Sequence, residues 1–434
     1  MVALSAVAVE GAESATEEDV DFFEDEFETE IEFDATEISH VESTSIIPLF
    51  DNSHRLSLGY QLGSTVEQKP EISAHQASLR YRWDKLLSES VYSKVDAKLI
   101  FLGSGDSTIN DDEMVALDWR VNTMSLQWSH QQIAITSGFQ SFSIGELDTF
   151  PLNDLLAPWD YSQQAFTNPE DSHIGQLAID AQWFARPSSS LRFIAIPIPD
   201  VNRYPAQGIT EFISLADNIS INETSPLENN AWESALLAKH SFDAIDINLM
   251  LARLHTNNPV FELMSDTHIN ASYPSYETAG MSINYNHDNF LWKLESNFQH
   301  KLPLSGTSLE HSDKLSVGAG FDYDANGLYQ LTFETSYSKL FESPAFEIGQ
   351  SSSSKQSAIR ISKNVMNELL SLVYFASYDW EYKDQIHSAY ANYKITDYWQ
   401  INASLSLYNI EDEQSPMKIA DGWDQFTVTV IKDF

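Results

Sequence analysis

Charged side chains recur at every second position in several segments of this sequence. Because alternate side chains of an extended chain point to opposite faces, this spacing collects the charges on one face. Both signs occur there, which would give a strong local field that selects and orients ions and polar solutes rather than breaking bonds. The candidate residues of this kind are Arg80, Arg82, Lys94, Asp96, Lys98 and Arg120, and the same spacing adds Asp118, Asp180, Lys293, Glu295 and Glu334.

A second group of candidates lies in residues 144–173, where Asp148, Asp154, Trp159 and Asp160 occur between prolines and aromatic residues. The segment is too apolar for a freely solvated loop of its length. It either folds into the interior and forms a constriction or packs on itself as a cap at the rim. Residues 200–230 form a second long loop with a short helix predicted near 209–217. Acids in both loops could hold Ca²⁺, but EF-hand spacing is absent.

Bond-making chemistry has weaker support in this sequence. Nucleophilic or general acid–base catalysis needs a histidine placed beside a nucleophile or carboxylate, and no recognisable motif of that kind occurs. The chain has no cysteine, which excludes disulfide scaffolds, thiolate zinc sites and cysteine catalysis. We therefore predict neither an enzyme nor a resident cofactor. The histidines considered are His75, His130, His173, His255, His300 and His387.

Composition excludes further classes of protein. The 434 residues include 64 acidic and 24 basic ones, and a net charge of −40 argues against a nucleic-acid partner. Mean hydropathy is −0.28, and no apolar run approaches the ~18 residues that a membrane-spanning helix needs. An aromatic content of 12% is too high for a disordered chain.

Alternation of apolar and polar residues is the dominant pattern from residue 53 onward, as at Trp399, Ile401, Ala403 and Leu405. This period of two predicts β-strands with one apolar and one polar face. Sixteen to eighteen strands fit the pattern. The eighteen ranges are 53–63, 73–86, 91–103, 113–128, 132–143, 174–185, 190–199, 231–241, 244–256, 270–286, 289–301, 314–324, 328–340, 355–366, 369–381, 384–396, 399–410 and 422–434.

The gaps between these strands alternate between short and long, and only the gap at 382–383 departs from the rule. Short periplasmic turns and long extracellular loops are typical of an outer-membrane barrel. Lipid offers no hydrogen bonds, so a sheet within it must close on itself. We therefore predict an all-β fold for residues 51–434, a transmembrane antiparallel β-barrel in the bacterial outer membrane. A barrel of this size leaves a lumen too wide for side chains to fill.

Aromatic residues collect near the predicted strand ends, where they would form girdles at headgroup depth. Ordinary aromatic packing in a β core is the alternative. The residues are Trp83, Trp119, Trp128, Trp183, Trp292, Tyr378, Trp380, Tyr398, Trp399 and Trp423.

Two local irregularities are also predicted. The apolar parity of 113–128 switches between Trp119 and Leu126, which indicates a β-bulge near Asn122–Thr123 or a misplaced turn. Pro197 and Pro199 indicate an early end or a distortion of the strand at 190–199.

The first fifty residues differ from the rest. Residues 1–15 resemble the back half of a secretory signal, with a flexible terminus as the alternative. Residues 16–50 form an acidic, Phe-rich segment, with eleven acids between Glu17 and Asp34. Interleaved acids and aromatics suggest a motif that docks on a basic, grooved partner, although a solubilising tail fits equally well. The docking candidates are Phe22, Phe23, Glu24, Asp25, Phe27, Glu28 and Phe33.

The stretch from Ile135 to Gln163 resembles a motif of proteobacterial outer-membrane barrels, in which Gly–Arg–Gln leads to Trp–Gly, then Asp, then Asn–Pro–x–Asp. Phe139, Ile144 and Ala157 stand where that family has Arg, Trp and Asn, so the match is loose and covers about thirty residues. The matching positions are Gly138, Gln140, Gly145, Asp148 and the run Pro158–Trp159–Asp160.

Members of that family often accompany RND-type exporters and periplasmic lipid carriers, and their acidic, Phe-rich tails are similar. The resemblance implies a channel that moves a small or lipidic solute across the outer membrane with a periplasmic or inner-membrane partner. The alternative is a structural or docking component of an envelope complex, with a plugged lumen. The chain also looks distantly like the alginate-export barrel in strand number, but it has too few basic residues to match that lumen.

The C-terminal strand provides another resemblance. Phe434 shares its parity with Phe426, Val428 and Val430, and a terminal aromatic on an amphipathic strand looks like the recognition signal of the bacterial barrel-assembly machinery. Lys432 departs from that signal, although a lysine near the interface can snorkel. We expect the other contacts of the barrel to be outer-membrane lipid and lipopolysaccharide.

Overall fold

The computed structural model describes residues 54–66, 70–104, 106, 115–161, 172–203, 220–223, 232–265, 268–342, 351–412, 415, 417–420 and 422–434. Within these ranges, the 3₁₀ helix Lys418–Ala420 accompanies the strands. The strands are β1 His54–Thr65, β2 Ile72–Ser88, β3 Val91–Gly103, β4 Val115–His130, β5 Ile133–Gln140, β6 Gln176–Arg186, β7 Ser189–Ile196, β8 Ser220–Glu223, β9 Glu233–Phe242, β10 Ile245–His255, β11 Val260–Ser265, β12 His268–Ser272, β13 Ser275–His287, β14 Phe290–Leu304, β15 Glu310–Asp324, β16 Gln330–Leu340, β17 Ser353–Val365, β18 Leu370–Asp379, β19 Gln385–Thr396, β20 Trp399–Asn409 and β21 Gln425–Asp433.

Eighteen of these strands form one antiparallel sheet, and β8, β11 and β12 form a separate three-stranded sheet. The large sheet closes because β1 pairs with β21, with Ser57 opposite Asp433. The backbone N–H of Phe434 donates to the carbonyl of Leu56 at 2.9 Å. The predicted fold class, a closed barrel of about eighteen strands, is confirmed.

The outer face of the barrel is apolar. Along β4, Leu117 and Trp119 are 60% and 67% exposed, and along β10, Leu251 is 61% exposed, while their sequence neighbours point inward. Large apolar side chains tolerate such exposure where lipid replaces water around them. The outer-membrane location predicted from the sequence is confirmed by the closed barrel and this apolar belt.

Among the residues that the structure describes, no helix is long and apolar enough to cross a bilayer.

Short turns, most of them of two residues, join the strands at one end of the barrel. Gln131, Asp243 and Asp288 each open such a turn with a positive φ of 52°, 44° and 51°. This backbone conformation matches the right-handed twist of the flanking strands, which is why it is typical of tight hairpins. These short turns alternate with longer connections at the other end of the barrel, as the sequence predicts.

The two predicted irregularities are present. Asp96 pairs with Thr123 and Ala97 with Val121, so Asn122 is the extra residue of a β-bulge in β4. The bulge lets the outward parity switch. Strand β7 ends at Ile196, directly before Pro197, which has no N–H to continue the ladder.

One predicted boundary is wrong. The range 270–286 merges two elements, because residues 268–272 belong to the three-stranded sheet and the barrel strand begins at Ser275. Pro274 lies between them and interrupts the backbone donors. The apolar alternation continues across the break, so periodicity alone did not reveal it.

Most predicted girdle residues lie on the outer face, and Trp380 and Tyr398 are more than half exposed. Trp423 differs, because it packs edge-on against Tyr408 in a cluster beside the loop after β20. The Lys432 ammonium lies 5.3 Å from the Trp399 ring and 4.4 Å from the Phe434 ring. Cation–π contacts of this kind stabilise a lysine on an apolar face.

Candidate functional site

The connection between β5 and β6, residues 141–175, is hereafter the inner loop. Its described residues, 141–161 and 172–175, pack against inward-facing side chains of the barrel wall. An irregular segment away from bulk water must find partners for its backbone N–H groups. Two glutamates of the wall accept six of these N–H groups.

Glu295 on β14 accepts three backbone N–H groups of the inner loop. The donors are Asn153 at 2.6 Å, Leu147 at 3.2 Å and Glu146 at 3.3 Å. The Glu295 side chain points inward, since its neighbour Leu294 lies on the exposed outer face, and it is fully buried. A carboxylate that accepts several backbone N–H groups holds a turn more tightly than neutral acceptors do.

Glu334 on β16 binds the next turn of the loop in the same way. It accepts the N–H groups of Asp148 at 2.7 Å, Thr149 at 2.8 Å and Phe150 at 3.3 Å. It is also fully buried. The two glutamates together fix residues 146–153 of the loop against the inside of β14 to β16.

Glycines in the wall allow this close approach. A Cβ added at Gly280 on β13 would lie 2.0 Å from Oδ1 of Asn153, and one at Gly318 on β15 would lie 2.5 Å from Cδ1 of Leu147. Asn153 cannot easily move aside, because its Oδ1 accepts from Asn297 at 3.0 Å and its Nδ2 donates to the Met281 carbonyl at 3.3 Å. The loop and wall therefore fit by shape as well as by charge.

The loop's acids are matched by cations of the wall. Lys293 on β14 lies 3.0 Å from Asp148 and 2.7 Å from Asp322. Its side chain is almost fully buried, and the two carboxylates provide the opposite charge that a buried ammonium needs. Asp148 keeps a partly exposed side chain, at 30%, so it faces the remaining lumen.

Glu146 is the first residue of the turn 146–153 that the two glutamates hold, hereafter the docked turn. Its carboxylate accepts from Nδ2 of Asn248 at 2.6 Å and from Nδ2 of Asn284. Burial raises the pKa of Glu146 above its ordinary value, while the Asn284 hydrogen bond and the charges of Lys293 and Lys239 act in the opposite direction. Burial dominates because charge is poorly solvated away from bulk water.

The later part of the loop is held by a different set of contacts. Asp154 accepts the N–H of Ile144 at 3.0 Å and contacts Nε2 of His173 at 2.8 Å. The His173 ring lies 4.1 Å from that of Trp159. Asp160 pairs with Arg120 of β4 at 2.9 Å, so the loop spans the lumen from β14–β16 to β4.

An apolar cluster also fixes the loop inside the barrel. Phe142, Leu156 and Ala157 of the loop are buried against inward residues of the wall such as Ile194 and Leu254. These wall positions break the polar parity expected of a wet lumen. The reason is that the loop, rather than water, covers them.

The charged wall of β2 to β4 lies across from the docked turn. Arg80 stands beside Lys98, and Lys98 beside Arg120, in one row across the three strands. Arg80 binds Asp96 through two contacts of 2.7 and 2.5 Å, and Arg82 lies 3.8 Å from the same carboxylate. Both signs of charge thus occur within this wall.

The structure therefore brings most of the predicted site residues into two groups. Asp148, Asp154, Trp159 and Asp160 belong to the inner loop. Arg80, Arg82, Asp96, Lys98 and Arg120 belong to the facing wall, and Arg120–Asp160 joins the groups. Lys94 is farther toward the turn end of β3, opposite Asp84 and Ser125.

Sequence reasoning placed Glu295, Glu334 and Lys293 on the inward face but missed their role as anchors of the loop. It missed Glu146, Asn153, Gly280 and Gly318 entirely. Glycine at alternate inward positions of neighbouring strands was the available signal, since such positions permit close backbone approach.

Two predicted features, the N-terminal docking motif and the helix in the second long loop, are not among the residues that the structure describes. The docking candidates between Phe22 and Phe33, and the short helix near 209–217, lie outside the described residues. Within the described part of the chain, no group of three or more His, Asp or Glu residues is arranged to hold a metal ion.

Comparison with known proteins supports the architecture. No family model matches the chain, and no curated protein matches it. OccAB1 of Acinetobacter baumannii is similar, with a TM-score of 0.54 and 8% identity over 88% of this chain and 95% of that chain. The outer membrane protein OpdK of Pseudomonas aeruginosa gives 0.52 and 8% over 89% and 100%. OccK8 (OprE) of the same organism gives 0.51 and 7% over 88% and 97%. At these identities the likeness establishes the fold, that of an outer-membrane porin-type barrel.

Proposed function

We propose that this chain is an outer-membrane channel for small water-soluble solutes, with a lumen narrowed by the inner loop. The observation that carries the proposal is the capture of six loop N–H groups by Glu295 and Glu334. A loop fixed across the inside of a closed barrel sets the size and charge of what passes. The polar inward face of the strands favours a water-soluble solute over a lipidic one.

Charge at the narrowed section would select among ions. Asp148 faces the lumen on the loop side, while Arg80, Lys98 and Arg120 line the opposite wall. Opposed signs across a narrow passage give a transverse field that orients dipolar solutes. Vanillate occurs in a solved structure of OpdK, and the similar fold makes small organic solutes a reasonable class to test here.

The proposal is tested by planar-bilayer recording of the purified full chain. We expect discrete single-channel currents and a reversal potential in a salt gradient that shifts when Lys98 is changed to Gln. That change removes one positive charge from the row, so cation selectivity should increase. Absence of conductance in the wild type and in a variant whose loop is released would contradict a channel function.

A docking role is the second candidate, because residues 17–34 alternate acids with five large apolar residues. A periplasmic or RND-type export partner remains a prediction, as does recognition of Phe434 by the assembly machinery. Deleting residues 17–37 should abolish co-purification of such a partner while leaving the barrel's conductance in place. Equal recovery of the partner by the deleted chain would exclude this segment as the docking site.

A further inference from the structure

The inward face of β19, β20 and β21 carries a grid of side chains that we call the uncharged wall. Its three rows are set by strand register, with Ser406 opposite both Ser388 and Gln425 as one example. Each of the nine positions carries a hydroxyl or amide group, and none carries a charge. The rows are Ser388–Ser406–Gln425, Tyr390–Ser404–Thr427 and Asn392–Asn402–Thr429.

The third row continues onto the neighbouring strands. Asn392 stands opposite Ser371 of β18, and Thr429 stands opposite Gln61 of β1. Five adjacent strands therefore present amide or hydroxyl groups at the same level. With strands about 4.8 Å apart, the row extends roughly 19 Å around the lumen.

The contrast with the rest of the lumen is chemical. Inward positions of β2 to β4 and of β14 and β15 hold ion pairs, among them Arg80–Asp96 and Lys293–Asp322. A charged solute moving past the uncharged wall would lose hydration without meeting an opposite charge, which is costly. A neutral solute with many hydroxyls could exchange its water for the wall's donors and acceptors.

Several polar atoms of this wall are buried and have no hydrogen-bond partner among the described residues. They are both amide atoms of Gln425, Oγ1 of Thr429, Oδ1 of Asn392 and Oγ of Ser371. Gln425 is only 2% exposed. Unsatisfied buried polar groups are rare in proteins and indicate that something else supplies the missing partner.

Other groups of the wall are already oriented. Ser404 and Thr427 lie 2.5 Å apart and Ser388 and Ser406 lie 3.3 Å apart. The Tyr390 hydroxyl interacts with Ser388 and Ser406, which holds its ring within the grid. A fixed aromatic ring beside hydroxyl and amide groups provides an apolar face for a ring-shaped solute.

We propose that the uncharged wall is a binding surface for neutral, hydroxyl-rich solutes, that is, for sugars or short oligosaccharides. This inference rests on the proposed channel function and names its solute class. The wall supplies paired donors and acceptors, while the ion pairs elsewhere in the lumen keep their charges satisfied by one another.

The test uses the full chain in proteoliposomes, with glucose and gluconate as a neutral and an anionic probe of similar size. Swelling rates are divided by the ion conductance of the same preparation. We expect glucose to enter faster than gluconate. We expect Gln425→Met with Thr429→Val to lower the glucose rate roughly three- to ten-fold, because two hydrogen-bonding groups are replaced by apolar ones of similar shape.

Thr335→Val is the matched control, because it is the same substitution on the lipid-facing side of β16. The Thr335 hydroxyl donates to the Gln356 carbonyl there. It should leave the glucose rate as in the wild type. Thr429→Val alone is measured in parallel as a milder variant and should show a smaller loss, and Thr429→Ser should restore the rate.

The outcomes distinguish failure of the sugar assignment from failure of the channel function. Conductance in the wild type together with an unchanged glucose rate in the double and single variants would overturn the sugar assignment and leave the channel. Gluconate entering as fast as glucose would overturn it as well. Absence of any conductance or swelling would overturn both proposals.

Discussion

The wall of β14 to β16 and the wall of β19 to β21 have the same architecture and the same polar parity, but they treat charge in opposite ways. The first buries Glu295 and Glu334 and satisfies them with loop backbone. The second carries hydroxyls and amides, and several of these lack a partner among the described residues. Inward polarity therefore has two uses in this barrel: one wall holds a loop, and the other offers hydrogen-bonding groups to a solute.

The largest effect is expected from the double change Glu295→Gln and Glu334→Gln. A hydrogen bond to a charged acceptor contributes about 1.5–3 kcal/mol and one to a neutral acceptor about 0.5–1.5 kcal/mol, so each bond that becomes neutral weakens loop docking by about 1 kcal/mol. Released from these two anchors, residues 146–153 should become mobile while Arg120–Asp160 and the apolar cluster hold the rest of the loop. Single-channel conductance should rise on the order of two-fold as the passage widens. Planar-bilayer recording measures this directly.

The control for that experiment is Glu310→Gln, since Glu310 is an exposed first residue of β15. Cleavage by chymotrypsin after Leu147 or Leu152, which lie in the turn held by the two glutamates, should increase only in the double variant. If conductance and cleavage both match the wild type, the two glutamates do not anchor the loop, and the contrast between the walls fails.

A smaller effect is expected from Gly280→Ala. The new methyl group would overlap Oδ1 of Asn153, which is held by Asn297, so loop or strand must shift. Overpacking of this kind costs about 1–3 kcal/mol. Thermal unfolding followed by heat-modified migration on gels should show lower stability than in the wild type.

A second substitution sharpens this prediction. Asn153→Ala removes the atom that the methyl group meets, so the double variant should recover part of the stability lost in Gly280→Ala. If the losses of stability in Gly280→Ala and Asn153→Ala simply add in the double variant, the two positions do not interact. Gly280 would then be needed for a reason other than the close approach of the loop.

The smallest effect concerns pH. Because burial raises the pKa of Glu146 above the ordinary 4.5, the folded chain binds this proton more readily than the unfolded chain. Its contribution therefore favours the docked loop as pH falls through the raised pKa and is lost as pH rises above it. Cation selectivity should also decline over that window, since one negative charge in the lumen disappears.

Reversal potentials measured between about pH 7 and the ordinary pKa test this, and Glu146→Gln should flatten that part of the profile. The uncharged wall carries no group that titrates in this range, so only the part of the profile that Glu146→Gln removes is assigned to Glu146. An identical profile in Glu146→Gln would show that Glu146 does not control it.

Much of the barrel could be predicted from the sequence because a membrane imposes a strict period of two. The alternation at 399–405 and the parity switch around Asn122 are local signals, and each one determines local structure. Pro197 ended its strand for an equally local reason. The three-stranded sheet was missed because strands of four to six residues give too few alternations to recognise.

The site was harder to predict because its contacts are distant in sequence. Glu334 meets Asp148 across 186 residues and Glu295 meets Leu147 across 148. Parity could show that both glutamates point inward, but not which of the connections would meet them. The uncharged wall depends in the same way on strand register, which aligns Asn392, Asn402 and Thr429 only once the sheet is built.

The seam between β1 and β21 determines how such a chain must fold. The hydrogen bond from Ser57 to Asp433 joins residues 376 apart, so it is among the slowest contacts to form. Until the final strand pairs, β1 and β20 are edge strands whose unpaired backbone N–H and C=O groups could pair with another chain. Wherever folding of the sheet begins, an incomplete barrel therefore has two open edges that favour aggregation. These edges have to be covered until β1 and β21 pair.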